Sequence, residues 1–267
     1  MPIASRSAAS PPDMARRIGH AAPETTPILR IGGFTRLTTI DYPGELAAVV
    51  FCQGCPWRCR YCYNTDLLDA RTEGLIPWSD IRGFLAQRIG LLDGVVFSGG
   101  EPTAQGALDA AMQETRALGF KVGLHTSGVY PERLRALLPL IDWVGLDIKA
   151  LPDDYPAITG VPDSGHRAWN SLDILLTARV PMEVRTTLMP DWTPEQIATL
   201  AHALADTGVT HYCVQACDRD RALDETLAPS TMLMSERIGL VAKERFASFV
   251  IRGACSTGMM ARNFLEA

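Results

Sequence analysis

The chain has 267 residues, is 47% hydrophobic and carries a formal net charge of −5. That length and apolar content suffice for one substantial core and are met most simply by a single domain. The acidic balance speaks against a nucleic-acid-binding surface, and no apolar run approaches the roughly 18 residues of a membrane span.

Residues 1–27 are rich in Ala, Ser, Pro and Arg and lack hydrophobic periodicity. Arg and Ser content of this kind also marks organelle transit peptides. Here Pro2, Pro11, Pro12, Pro23 and Pro27 interrupt any helix and little can be buried, so a disordered extension is expected. From Ile28 to the end, residues 28–267, short apolar runs alternate with helical patterns, the signature of βα units on a parallel sheet. Strands are expected at Ala47–Cys52, Gly94–Ser98, Lys121–Thr126, Trp143–Ile148, Met182–Leu188 and His211–Gln215. Helices are expected at Ser79–Gly90, Thr103–Leu118, Pro131–Leu138, Ala168–Ala178, Thr193–Asp206 and Thr231–Lys243. A last apolar run, Ala247–Ile251, reads as an edge strand. The pattern is α/β, and its six βα units make a partial (β/α)6 barrel rather than a closed eight-stranded one. There is no internal repeat and no heptad run. The expected location is cytoplasmic.

Directly after the first expected parallel strand comes Cys55-Pro56-Trp57-Arg58-Cys59-Arg60-Tyr61-Cys62. In a cytosolic chain, thiols this close bind metal or do redox chemistry more often than they form lasting disulfides. A mononuclear zinc or a fully ligated iron–sulfur cluster takes four protein ligands, whereas this loop supplies three. Three thiolates on a cubane leave one iron open to a cofactor. Cys52 could complete a four-thiolate site instead. It ends the apolar run Leu46–Phe51, however, and there it reads as a small buried hydrophobe.

Further polar motifs follow the next strands in turn. Ser98-Gly99-Gly100-Glu101-Pro102 combines glycines that admit a ligand close to the main chain with a proline suited to a helix start. His125-Thr126-Ser127-Gly128 follows the third strand, Asp147 and Lys149 end the fourth, and Arg185 lies within the fifth. Chemistry in parallel α/β folds gathers at the carboxyl ends of the strands, and these residues all map there. The alternation that buries Val184 on one face puts Arg185 on the other, either inward toward a carboxylate or out on the surface. Cys213 and Cys217 would share a face if their strand continued that far, but Asp218-Arg219-Asp220-Arg221 marks a loop. With Cys255 they read as isolated thiols, so a single cluster is expected.

The cysteine loop together with the Gly-Gly-Glu-Pro motif resembles the radical S-adenosylmethionine (SAM) enzymes. The resemblance implies a [4Fe-4S] cluster on Cys55, Cys59 and Cys62, with SAM chelating the open iron. It also places the aromatic ring of Tyr61 against adenine and Gly99, Gly100 and Glu101 beside the methionyl amino group. Asp147-Ile148-Lys149 is similar to a SAM-contacting segment of the glycyl-radical-enzyme activases. His125 stands where those activases often carry aspartate, which puts in doubt any cation held there; Tyr63 stands where many have histidine. Thr126, and Arg185 if it points inward, are further expected cofactor contacts. The segment Ile31–Gly44, with Val50–Cys55 and Tyr61–Asn64, resembles activating proteins of anaerobic ribonucleoside-triphosphate reductases. That implies a glycyl-radical partner and a low-potential electron donor such as flavodoxin or ferredoxin. Two alternatives stay open at this point: a radical SAM enzyme acting on a small molecule or another peptide, and a non-catalytic iron–sulfur or zinc protein.

Overall fold

The structure, a computed structural model, describes residues 28–253. The expected disordered extension at 1–27, and Cys255, lie outside the described residues. Eight strands form one sheet in chain order: β1 (Ile31–Thr38), β2 (Ala47–Cys52), β3 (Gly94–Gly99), β4 (Lys121–Thr126), β5 (Trp143–Asp147), β6 (Met182–Leu188), β7 (His211–Ala216) and β8 (Ser248–Arg252). Strands β2 to β8 run parallel, and β1 pairs antiparallel with β2. The six strands β2–β7 are the expected partial barrel, and β8 is the expected edge strand.

β1 was not expected. Gly32 and Gly33 weaken its strand signal, and register irregularities interrupt its pairing with β2. The helices are α1 (Trp78–Ala86), α2 (Leu108–Ala117), α3 (Pro131–Leu137), α4 (Tyr155–Thr159), α5 (Ser164–Ala178), α6 (Pro194–Asp206) and α7 (Met234–Arg237). The continuous helix expected over Thr103–Leu118 is in fact two pieces. A 3-10 turn spans Pro102–Ala104, and Gln105 is extended before α2 begins. The Gln105 side chain explains the break, since its amide donates to the carbonyl of Gln53 at 2.6 Å and its oxygen accepts from the amide of Arg30 at 3.3 Å. The helix expected over Thr231–Lys243 shrinks to the single turn of α7, and α1 ends four residues before Gly90, which turns the chain at φ +77°. α5 starts earlier than expected because Gly165, lacking a side chain, lets its first turn lie against the carbonyl of Pro152.

Strand alternation sorts the side chains into two layers. Val50, Val95, Phe97, Val122, Leu124, Val144, Leu146, Val184 and Val214 face the helices and join Leu85, Met112, Leu134, Leu172 and Leu204 in the main core. On the helix-free inner face Ala47, Val49, Val96 and Trp143 form a smaller cluster closed by Tyr42, whose ring stacks on Trp143 at 5.4 Å. Tyr42 fills space left by Gly94 and Gly123, where a Cβ would approach its ring within 3.2 Å. Further along the same face, toward the carboxyl ends of β3, β4 and β5, stand Ser98, His125 and Asp147.

Candidate active site

The cysteine loop leaves β2 and is fastened by main-chain hydrogen bonds on both sides. Arg58 and Arg60 donate to the carbonyls of Thr159 and Ile158 at 3.1 and 2.9 Å. From the loop after β7, Leu223 and Asp224 donate to the carbonyls of Cys62 and Arg60, each at 2.9 Å, and Asp224 pairs with the Arg60 guanidinium at 2.7 Å. The sequence marks Asp218-Arg219-Asp220-Arg221 as a loop and gives Leu223 and Asp224 no local signal for their role as a clasp. Within the loop the amide of Cys62 donates to the carbonyl of Cys59 at 2.9 Å.

Cys59 is buried, while Cys55 and Cys62 are partly exposed. Burial pushes the Cys55 thiol up to about 12, helped by the Glu101 carboxylate, and burial likewise raises Cys59 and Cys62. Lys149 opposes the rise at all three thiols, so one buried ammonium faces the whole set. Cys52 is different: its side chain is fully buried on the helix-covered face, and burial carries its thiol far above the ordinary range. Among the described residues no three His, Cys, Asp or Glu side chains converge on one point.

Gly99 and Gly100 lock against this loop. Gly99 sits at φ +108°, where a Cβ would lie 2.5 Å from the amide nitrogen of Cys52, and a Cβ on Gly100 would strike the carbonyl of Gly54. The Gly100 and Glu101 amides donate to the carbonyls of Cys52 and Gly54, each at 2.9 Å. Both glycines are therefore required by contact between the two motifs, before any ligand is considered. Glu101 is fully buried. Its Oε1 accepts from the Thr103 amide at 3.0 Å, the Thr103 hydroxyl at 2.6 Å and the Thr126 hydroxyl at 2.7 Å; its Oε2 accepts from the Ser127 amide at 3.0 Å. Burial raises the carboxyl, and these four donors pull it back. Glu101 and Thr126 thus bind each other as a bracket between the ends of β3 and β4.

Lys149 is 4% exposed. Its Nζ stands 3.5 Å from the half-exposed Asp147 carboxylate and 5.5 Å from the centre of the buried Tyr61 ring. Its amide donates to the Tyr155 hydroxyl at 2.8 Å. Burial alone would lower the ammonium, but Tyr61, Cys59 and Asp147 outweigh it and hold it charged. Tyr63 is half-exposed, with Arg221 5.4 Å over its ring.

His125 and Arg185 form an inner group of their own. Arg185 points inward and is 8% exposed, which removes the surface alternative. Its Nε donates to Glu183 at 2.8 Å, and its Nη1 lies 3.1 Å from His125 Nε2. Gly145 makes this possible, because a Cβ there would come within 2.9 Å of both Arg185 Cζ and His125 Cδ2. The same His125 nitrogen faces the carbonyl of Asp41 at 2.9 Å, and Nδ1 faces the Ser98 hydroxyl at 3.3 Å. Burial, and then the Arg185 charge, hold the imidazole well below its usual range, hence neutral. Arg185 Nη2 is buried without a partner among the described residues. Arg252 completes the group by binding Glu183 at 2.9 Å. Neither Glu183 nor Gly145 carried a sequence signal. Cys213 faces this group, whereas Cys217 lies beyond the end of β7 and packs toward the outer core near Arg237, so the two do not converge.

A partial α/β barrel with a three-thiolate loop at its carboxyl rim defines a class, and comparison with known proteins agrees. The sequence profile of the radical SAM superfamily matches residues 49–204, and the chain belongs to that superfamily, among its glycyl-radical-enzyme activases. It is 31% identical over 238 residues to a Methanocaldococcus jannaschii protein provisionally named a glycyl-radical enzyme activating enzyme, spanning 83% of this chain and 95% of that one. It is 29% identical over 189 residues to the Escherichia coli pyruvate formate-lyase 1-activating enzyme, spanning 66% of this chain and 74% of that one. In fold it is similar to Streptococcus suis SuiB bound to S-adenosylmethionine, with TM-score 0.60 and 16% identity over 76% of this chain and 49% of that one. The chain is accordingly a radical SAM enzyme, and its cofactors are a [4Fe-4S] cluster and SAM. No helix among the described residues is long and apolar enough to cross a membrane.

Proposed function

We propose that this activase generates a glycyl radical on an anaerobic ribonucleotide reductase, drawing electrons from a low-potential donor such as flavodoxin or ferredoxin in the cytoplasm. The observation that carries the choice of partner is the segment Ile31–Gly44, which forms β1 and the Tyr42 plug and resembles the activators of those reductases. The identity with pyruvate formate-lyase activases supports a second reading, in which the glycyl protein is a formate-lyase.

The residues present suit the cofactors. Cys55, Cys59 and Cys62 would hold three irons and SAM the fourth, while Cys52, fully enclosed at the end of β2, stands outside their loop. When bound, the reduced cluster and SAM supply a 5′-deoxyadenosyl radical and methionine by one-electron cleavage of the C5′–S bond. The chain's own residues bind and orient. Gly99 and Gly100 hold bare main chain against the cluster loop, with Glu101 and Thr126 fixing its position. Lys149 keeps a fixed positive charge beside the thiols, and Asp147 offers a carboxylate at the open end. Arg185, clamped by Glu183 and His125, turns a free guanidinium N–H into the barrel, where a ligand carboxylate would satisfy it. The Tyr61 ring backs the Lys149 ammonium at 5.5 Å, and the half-exposed Tyr63 follows the last thiol.

The test is anaerobic reconstitution with SAM and each candidate glycyl protein, read by electron paramagnetic resonance. A glycyl radical on the reductase alone supports the first reading, and one on the formate-lyase alone replaces it. 5′-Deoxyadenosine formed with neither radical would remove both.

A further inference from the structure

Beside the cysteine loop lies a cavity of about 320 Å³ lined by Arg30, Gln53, Cys55, Pro56, Gln105 and Tyr130 among others. It brings the surface of the protein to a cluster-ligating cysteine. One arginine lines it, and two more bind residues of its lining. Arg30 lines it, donates from Nη2 to the carbonyl of Thr72 at 2.6 Å and leaves a buried Nε without a partner. Arg58 donates to the carbonyl of Cys55 at 2.6 Å. Arg133 donates to the carbonyls of Thr103 and Ala104 at 3.0 and 2.9 Å and lies 4.9 Å over the Tyr130 ring. None of the three makes an ion pair among the described residues. The bordering loop is mixed in sign: Asp69 is taken up by Arg71, while Asp66 and Glu73 also face solvent.

Guanidinium groups bonded only to carbonyls keep their full charge for an incoming anion. The chain as a whole carries −5, so an acidic partner is repelled at long range and needs a local positive patch to dock productively. We infer that this cavity is where an acidic one-electron-carrier protein docks to reduce the cluster, with Arg30, Arg58 and Arg133 as its contacts. The inference rests on the activase reading above. The step balances simply: the donor is oxidised by one electron, the cluster is reduced by one, and no bond of the chain forms or breaks. Docking here puts the donor against Cys55 and leaves the half-exposed Tyr63, which does not line this cavity, free for the glycyl partner.

The test uses the loaded full chain and flavodoxin hydroquinone under anaerobic conditions, with cluster reduction followed by electron paramagnetic resonance. Arg133→Glu is expected to slow reduction about tenfold at low ionic strength, and Arg58→Glu with Arg133→Glu to slow it further. The difference should close at about 0.5 M salt, where screening removes steering. Dithionite, which needs no docking, should reduce all forms equally. Binding of flavodoxin to the unloaded chain, measured by fluorescence anisotropy, should weaken in Arg133→Glu, which keeps the test alive if a variant loads poorly. Equal flavodoxin rates in wild type and variants, or a wild-type rate indifferent to salt, would overturn the inference. Failure of dithionite-reduced wild type to cleave SAM would instead overturn the activase reading, leaving the binding result to stand or fall separately.

Discussion

Glu101 offers the sharpest test of how the site is built, because its fully buried carboxylate joins β3 to β4 through four hydrogen bonds. In Glu101→Ala the Thr103 and Thr126 hydroxyls can turn to other acceptors, but the Thr103 and Ser127 amides cannot. Each orphaned amide costs about 1–3 kcal/mol, so the loss should be about 4 kcal/mol. In Glu101→Gln, Oε1 keeps its three donors, while the new amide meets the Ser127 N–H donor to donor. Relief of a buried charge offsets part of that conflict, and the loss should be about 1–2 kcal/mol. Urea unfolding of the metal-free chain at neutral pH, followed by circular dichroism, reads both. The ratio matters more than either value. A loss below about 0.5 kcal/mol in the alanine variant, or equal losses in the two, would refute the bracket, since either outcome means that the amides have another acceptor. Glutamine should also load iron normally, because the cysteine loop has its own anchors at Thr159, Ile158 and Asp224.

Single replacement of Cys55, Cys59 or Cys62 by Ala should abolish the cluster, whereas Cys52→Ala should leave most of it, since that thiol is fully enclosed at the end of β2, outside the loop spacing. Iron and sulfide analysis decides, and equal loss in Cys52→Ala would restore the four-thiolate alternative. A Cys213, Cys217 and Cys255 triple Ala variant should keep about four irons per chain; loss of half the iron from a wild type carrying twice that amount would reveal a second cluster. His125 gives a pH signature. Its folded value lies below the unfolded one, so between the two the unfolded chain binds the extra proton. Its contribution is complete above about 6.5 and is lost as pH falls, by at most about 1.4 kcal/mol per unit. His125→Gln should remove that slope, and parallel wild-type and variant curves from pH 7 to 5.5 would contradict a neutral buried imidazole.

Much of the architecture was legible because it rests on local patterns. Short apolar runs alternating with amphipathic stretches are the pattern of a parallel sheet with helices packed on it, and all seven expected strands appear in the sheet. The cysteine spacing and the Gly-Gly-Glu-Pro turn were equally legible, since the chemistry of a loop is carried by neighbours in the chain. β1 escaped because its glycines blur the period and it is held by only one neighbour. The helix expected at Thr103–Leu118 failed because Gln105 is drawn out by Arg30 and Gln53, residues far away in the chain.

The roles of the site residues divide along the same line. The sequence by itself determined which thiols can ligate and on which face of β6 Arg185 stands, because spacing and alternation are properties of the backbone. Only the tertiary structure decided that Arg185 turns inward, since that depends on a gap at Gly145 one strand away, on Glu183 and on His125. Likewise Glu101 passes in sequence for a ligand contact, and only the approach of Thr126 and Ser127 makes it a bracket. A buried charge takes its function from whatever the fold brings within hydrogen-bond reach, and no local pattern encodes those partners.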